Sequence, residues 1–168
     1  MIILGIDPGF ARLGYGVIEY ENNKYKTLEY GSITTKAGER LSLRLKRIGE
    51  DLQSIVSKYN IDAASIEDLF FNTNITTGIQ VAEARGVIMY VLESNNIPIA
   101  EYTPLQVKQA LVGYGRADKR QIMDMVKRIL KLEKMPKLDD TADALAIAIC
   151  HSYSYKYNQV MKKKSKNK

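Results

Sequence analysis

Four acidic residues stand where their side chains could do metal chemistry. Asp7 directly follows the apolar segment 2–6, and Glu67 ends a second apolar stretch in the middle of the chain. Asp140 and Asp143 come late, three residues apart at the start of an apolar segment, so on a helix they share one face. A carboxylate at the end of a buried strand is costly to desolvate unless a cation holds it. The four acids therefore predict a cation site if the fold brings them together.

Each acid also has an interpretation that needs no chemistry. Asp-Pro-Gly at 7–9 is a common turn, Glu67 could be a surface acid after an edge strand, and Asp140 could cap a helix. Asp143 is harder to explain in this way. The residues that follow it, 144–150, are almost wholly apolar and predict a helix that is buried on nearly all sides. The combination of all four acids favours a function.

Four carboxylates at one place repel each other strongly unless divalent cations neutralise them. Ligands that are all oxygen favour the hard ions Mg²⁺ or Mn²⁺. Two such ions about 4 Å apart can activate a water molecule and stabilise the leaving oxygen of a phosphodiester. The single histidine, His151, follows Asp143 by about 12 Å along a helix axis and is not expected to join the acids.

The apolar periodicity predicts an α/β fold that could bring the acids together. Strands over 2–7, 12–20 and 26–34 are joined by short connections and predict an antiparallel meander. Helices are then predicted over 41–59, 76–94, 103–112, 117–132 and from 139 to about 157, with strands over 62–67 and 97–102. This order implies a mixed sheet of about five strands, three antiparallel and then parallel, with helices on both faces. In such sheets, sites form at the carboxyl ends of strands.

Composition and charge predict one domain over 1–157 and a basic tail over 158–168 that is expected to be disordered. The net charge is +6, but residues 162–168 supply five lysines and no acid, so the pI of 9.3 is weak evidence for a nucleic-acid partner. The single cysteine, Cys150, suits a reducing compartment. We find no signal-peptide pattern and no apolar stretch of roughly 20 residues. We therefore expect a cytoplasmic protein without a membrane partner.

Short motifs spread along most of the chain carry a resemblance to a known family. They are Gly5-Ile-Asp-Pro-Gly9, Gly14-Tyr-Gly16, Ile66-Glu67 with Phe70-Phe71, Gln80-Val-Ala-Glu-Ala-Arg-Gly86, Gln106-Val-Lys-Gln109, Val112-Gly-Tyr-Gly115, Lys119 and Asp140-Thr-Ala-Asp-Ala-Leu-Ala146. In this order, over about residues 1–153, they resemble the RuvC family of Holliday-junction resolvases. These are bacterial crossover junction endodeoxyribonucleases with a ribonuclease H-like fold.

The resemblance implies a Mg²⁺-dependent nuclease domain over 1–157. Asp7, Glu67, Asp140 and Asp143 match the family's four metal-binding acids and would be catalytic, with two Mg²⁺ ions per site and Mn²⁺ able to substitute. The implied substrate is four-way junction DNA, resolved by paired symmetric nicks in recombination and repair. The implied partners are a second copy of the chain, as a homodimer, and a branch-migration helicase complex.

The resemblance also marks residues that would contact DNA. Phe70 matches a junction-stacking aromatic, and stacking on an unpaired base contributes about 1–3 kcal/mol. Lys108 and Lys119 match basic residues near the scissile phosphate, and Arg116 and Arg120 add positive charge beside them. Without the resemblance, Phe70 could fill the core and each lysine could be a solvated helix side chain.

Three alternative functions remain open from the residues. The first is a non-catalytic junction-binding module, which the complete acid set argues against. The second is another ribonuclease H-like nuclease, such as one cutting RNA–DNA hybrids, which the loop at Phe70 and the basic motifs argue against. The third is a sugar-kinase or actin-like phosphotransferase, because Asp7-Pro-Gly9 followed by glycines is similar to their phosphate loop. Such enzymes need a second, duplicated domain, for which 168 residues leave no room.

Overall fold

The computed structural model describes residues 1–68 and 75–166, except for the side chains of 75–77 and 157–166. The strands are β1 (Ile2–Asp7), β2 (Arg12–Glu21), β3 (Lys24–Thr34), β4 (Ala63–Glu67) and β5 (Ile99–Tyr102). They form a five-stranded sheet in the order β3-β2-β1-β4-β5. The pairs β1–β2 and β2–β3 are antiparallel, whereas β1–β4 and β4–β5 are parallel. The mixed sheet predicted from the sequence is confirmed.

Helices cover both faces of this sheet, as the sequence predicts. They are α1 (Leu41–Val56), α2 (Ile75–Ser94), α3 (Pro104–Val112), α4 (Lys119–Leu130) and α5 (Asp139–Lys166). Because strand side chains alternate between faces, β1 contributes to two cores. Leu4 and Ile6 are buried with residues of α1 and α2, whereas Ile3 is buried with residues of α3, α4 and α5. Fully burying each such side chain contributes roughly 1.5–3 kcal/mol.

The first turns of α5 lie directly against the main chain of β1 and β2. A Cβ atom added at Gly14 would overlap the carbonyl oxygen of Asp140, and one added at Gly5 would overlap that of Ala144. The facing surface of α5 is also small, because Ala144 and Ala148, four residues apart on one face of the helix, lie at this contact. This close approach places the amino-terminal end of α5, with its acids, beside the end of β1.

The carboxyl-terminal part of α5 differs from the sequence-based expectation. The backbone is helical to Lys166, where we predicted an end near 157 and a disordered tail over 158–168. The physical reason is that α5 contains no Gly or Pro that would end it, and Gln, Met and Lys all favour helix. Within the described ranges, neither α5 nor any other helix is long and apolar enough to cross a membrane. The domain boundary after 157 stays a prediction.

Replacing Gly14 with alanine tests the close packing of α5. We expect Gly14→Ala to lower the free energy of unfolding by about 1–3 kcal/mol, because the new methyl group meets backbone atoms that move only with the whole helix. Urea unfolding followed by circular dichroism measures this change. Gly86→Ala in α2 is the control, since no atom lies within 4 Å of its added Cβ. It should keep or raise stability, by at most about 1 kcal/mol. Equal stability of the two variants would contradict the packing.

Candidate active site

Asp7 and Glu67 end neighbouring parallel strands at the same edge of the sheet. β1 and β4 are paired through Ile6 and Ile66, and the next residue on each strand is an acid. Each of the two carboxyl groups lies close enough to influence the pKa of the other. The structure therefore brings together the two strand-end acids that the sequence singled out, at the carboxyl end of the parallel strands where sites form in sheets of this kind.

The four predicted acids lie close enough together that the other three affect the pKa of Asp7. Burial, followed by repulsion from Glu67, Asp143 and Asp140, raises the pKa of Asp7 to about 8. Burial and the charge of Asp143 also raise the pKa of Glu67. Each of these groups is therefore harder to ionise than a free carboxyl group. An added cation at this place would reverse the effect and stabilise the charged forms.

Two basic side chains hold the acids that α5 contributes. Arg12 donates a hydrogen bond from Nη1 to Oδ2 of Asp140 at 3.1 Å. The Nζ atom of Lys119 lies 3.4 Å from Oδ2 of Asp143 and 2.9 Å from Oδ2 of Asp139. Burial raises the pKa of Asp143, and Lys119 partly opposes this rise. The negative charges of Asp140 and Asp143 are thus partly neutralised by basic side chains of the protein, whereas Asp7 is not among these ion pairs.

The chemistry of the four acidic side chains fits a hard divalent cation, although the carboxylates do not yet surround a common point. Across residues 1–68 and 78–156, no three acidic, imidazole or thiol side chains converge as a ready-made ligand shell. Asp140 and Asp143 are instead engaged by Arg12 and Lys119. The side chain of His151 lies elsewhere, with Nδ1 2.9 Å from the hydroxyl oxygen of Tyr102. The available donors are carboxylate oxygens, which Mg²⁺ and Mn²⁺ prefer.

A cavity of about 210 Å³ opens beside the acids, between the end of β4 and helices α3, α4 and α5. Glu67 and Asp143 line it together with Lys108 and Lys119, and most of the remaining lining is apolar. The two lysines predicted to contact DNA therefore face the same space as two of the predicted metal ligands. Positive charge in this position can hold a phosphate group against the acids.

The other predicted DNA contacts lie further out or outside the described residues. Arg116 is exposed in the loop before α4, and Arg120 is exposed in its first turn. Neither forms an ion pair with the four acids in the part of the chain that the structure describes. Phe70 falls in 69–74, which is outside the described residues, so its stacking role stays a prediction.

Sequence analysis missed Arg44, which fixes the loop that follows Asp7. Its side chain is buried, Nε donates to Oγ1 of Thr35 at 2.8 Å, and Nη2 donates to the carbonyl oxygen of Phe10 at 3.4 Å. The guanidinium carbon also lies 4.4 Å from the centre of the Phe10 ring. A signal was present in the sequence. Arg44 lies four residues before Ile48, on the apolar face of α1, where a charged side chain is unusual.

Sequence analysis also missed Arg12 as the partner of Asp140. Arg12 is the first residue of β2, and Gly14, two residues further on, is paired with Asp7. A basic residue so close to the strand position opposite Asp7 must lie at the acid-bearing edge of the sheet. Its contact with α5 depends on how the helix packs, which strand pairing alone does not give.

The fold and the carboxylates at the sheet edge define a class, the ribonuclease H-like nucleases. A family model described as crossover junction endodeoxyribonuclease RuvC matches residues 3–151. The relative of that name from Clostridioides difficile (strain 630) is 56% identical over 148 residues, covering 88% of this chain and 88% of that protein. The one from Alkaliphilus oremlandii (strain OhILAs) is 57% identical, covering 88% of this chain and 90% of that protein.

A solved structure gives the same result. Thermus thermophilus RuvC, in complex with a Holliday junction substrate, matches with a TM-score of 0.90 and 32% identity, covering 94% of this chain and 96% of that chain. The chain belongs to the RuvC family of crossover junction endodeoxyribonucleases. The family resemblance and the enzyme class predicted from the sequence are confirmed.

The raised pKa of Asp7 predicts how stability depends on pH without metal. Because the folded state binds a proton more tightly than the unfolded state, whose pKa is near 3.8, the fold loses stability as pH rises from about 4 to 8. Asp7→Asn removes this loss. In EDTA, the free energy of unfolding of the variant should therefore rise relative to that of the parent across this pH range, by at most a few kcal/mol. Thermal unfolding of both proteins at each pH measures the difference.

Metal and a matched variant complete this test. Mg²⁺ or Mn²⁺ should raise the melting temperature of the parent much more than that of Asp7→Asn, since the ion restores the charged form of Asp7. Asp124→Asn, at an exposed position in α4, makes the same charge change away from the four acids. It is the control for the loss of one carboxylate elsewhere on the protein. A stability difference between Asp7→Asn and the parent that does not change with pH would show that the pKa of Asp7 is not raised.

Proposed function

We propose that Asp7, Glu67, Asp140 and Asp143 hold two divalent cations and that this site hydrolyses the junction strands. The observation that carries the proposal is the electrostatic state of Asp7. Burial and three neighbouring acids oppose its ionisation, and a bound cation is the simplest compensation. Bound there, the ions would supply an activated water and stabilise the leaving oxygen. We infer Mg²⁺ as the ion used in the cell and Mn²⁺ as a substitute.

The positions of the four acids suggest which metal ion each acid would bind. Asp7 would be shared by both ions, because burial and the charges of the other three acids all oppose its ionisation. Glu67 and Asp143 would each complete the ligands of one ion. Asp140 would hold the ion that activates water. Strand pairing holds the first two acids in place, and the packing of α5 holds the other two.

Basic and aromatic side chains would position the DNA. Lys108 and Lys119 line the cavity beside the acids and would hold oxygens of the scissile phosphate. Arg116 and Arg120 are exposed, Arg120 directly follows Lys119 in the chain, and both would contact phosphates further along the strand. Phe70 would stack on an unpaired base at the junction, as the family resemblance implies.

A four-way junction presents two equivalent strands, and this symmetry suggests the assembly. A twofold homodimer places one site on each strand, so that two symmetric nicks resolve the junction. We infer a homodimer from this symmetry. As a further partner we infer a branch-migration helicase complex, which the family resemblance implies. We also infer a cytoplasmic location. The complex of Thermus thermophilus RuvC with a Holliday junction substrate supports the choice of DNA.

Removing the charge of Asp7 is the direct test of the catalytic site. We expect the parent protein to nick a synthetic four-way junction symmetrically in Mg²⁺. Asp7→Asn should bind the junction with similar affinity but nick it at least about 10³-fold more slowly, because one shared ligand of both ions is lost. Gel analysis of end-labelled strands measures nicking, and fluorescence anisotropy measures binding.

The control for this test is Asp124→Asn, which makes the same charge change on the exposed surface of α4. It should nick at the rate of the parent. Nicking by Asp7→Asn at the parent's rate would disprove the assignment of the acids. Equal cleavage of linear duplex, RNA–DNA hybrid and junction by the parent would instead show that the proposed junction selectivity is wrong.

Lys108 offers a separate test of the phosphate contact. Lys108→Met should lower the nicking rate by about 10²- to 10³-fold with only a small loss of junction affinity, since a charge that meets the scissile phosphate acts mainly on the transition state. Lys127→Met, at an exposed position in the last turn of α4, is the matched control and should nick normally. Equal rates for the two variants would make Lys108 a solvated surface lysine.

A further inference from the structure

The contact between Arg12 and Asp140 joins the sheet edge to the first turn of α5. It consists of one hydrogen bond, from Nη1 to Oδ2, although a guanidinium has five N–H donors. The side chain of Arg12 is 47% exposed and that of Asp140 is 31% exposed. About half of the Arg12 side chain is therefore open to solvent, and within the described residues its other donors make no side-chain hydrogen bond.

An ion pair of this kind is easily exchanged. Pairs that are partly exposed to water contribute little net stability, because water and salt screen them. A divalent cation interacts more strongly with the same carboxylate, since its charge is twice as large and it contacts the oxygen directly. Arg12 and a metal ion would compete for the same oxygen of Asp140.

We propose that Arg12 is an exchangeable counter-ion of Asp140. Without metal, its guanidinium neutralises Asp140 and keeps the four acids from repelling each other fully. When a divalent cation binds Asp140, Arg12 is released and binds a phosphate of the junction strand. This inference rests on the proposed role of Asp140 as a metal ligand, and it assigns to Arg12 a role in positioning DNA.

The chemistry of the released side chain supports the second half of the exchange. A guanidinium presents a planar pair of donors that matches two phosphate oxygens, and it stays charged at any working pH. Arg12 is held at the acid-bearing edge by the pairing of β2 with β1 and β3, so releasing it does not free its backbone. The phosphate contact would then form only after metal has bound.

Metal binding without DNA tests the competition. Mn²⁺ is titrated into the parent protein, Arg12→Gln and Arg47→Gln, and bound ion is measured by electron paramagnetic resonance. Arg47→Gln is the matched control because Arg47 pairs with Glu39 at 3.6 Å with similar exposure, 42% and 27%, on α1. We expect Arg12→Gln to bind Mn²⁺ about three- to tenfold more tightly than the parent and Arg47→Gln to match the parent.

A double-variant cycle separates direct competition from a general loss of positive charge. In the Asp140→Asn background, Arg12→Gln should no longer change the affinity for Mn²⁺, because the contested carboxylate is gone. A gain in affinity of the same size in both backgrounds would overturn the exchange, since it would show that Arg12 acts on the ion only through space.

Junction affinity tests the second half of the proposal. Anisotropy titrations of a four-way junction are run in EDTA and in Ca²⁺ for the parent and Arg12→Gln. In EDTA the two proteins should bind nearly alike, because Arg12 is occupied by Asp140. In Ca²⁺ the variant should bind the junction several-fold more weakly. The slope of its log affinity against log salt concentration should be smaller by about one, as expected for the loss of one phosphate contact. Equal losses in both conditions would overturn the release step.

The outcomes distinguish this inference from the proposed function. Failure of the parent to bind Mn²⁺, or unchanged binding by Asp140→Asn, would overturn the metal assignment and this inference with it. Normal Mn²⁺ binding by the parent, weakened by Asp140→Asn but unchanged in Arg12→Gln, would overturn only the exchange. Thermal unfolding of each variant confirms that the compared proteins are folded.

Discussion

The packing of α5 on the main chain of β1 and β2 is the constraint on which the site depends. Two of the four acids lie on that helix, and its distance from the sheet determines how far they are from Asp7. Glycines at the contact let the backbones touch, and the buried apolar side chains of α5 hold the helix there. The core on this face of the sheet therefore stabilises the active site and the fold through the same contacts.

Repulsion between these acids is partly offset by nearby basic side chains. Burial and mutual repulsion oppose the ionisation of Asp7 and Glu67. Arg12 and Lys119 offset part of the repulsion at the acids of α5, and Arg44 holds the loop between Asp7 and Arg12 from the other face of the sheet. The protein thus supplies positive charge to Asp140 and Asp143, whereas Asp7 and Glu67 have no basic partner among the ion pairs of the described residues.

Sequence periodicity was sufficient to predict the sheet, the two helical layers and the position of Asp7 and Glu67 at the ends of neighbouring strands, because strand ends and helix faces follow directly from residue spacing. The partners of the acids on α5 could not be predicted. Whether Arg12 meets Asp140, or Lys119 meets Asp139 as well as Asp143, depends on the separation and rotation of packed helices. The end of α5 was also missed, because a lysine-rich composition suggested disorder although nothing in it breaks a helix.

The order of the elements along the chain has a consequence for synthesis of the protein. Asp7 emerges from the ribosome first and Glu67 follows, but both stay incomplete as a site until α5 has been made and has docked on β1 and β2. A partly made chain carries the strand-end acids without their helical partners. The cluster of four acids is therefore complete only after nearly all of the chain has been made.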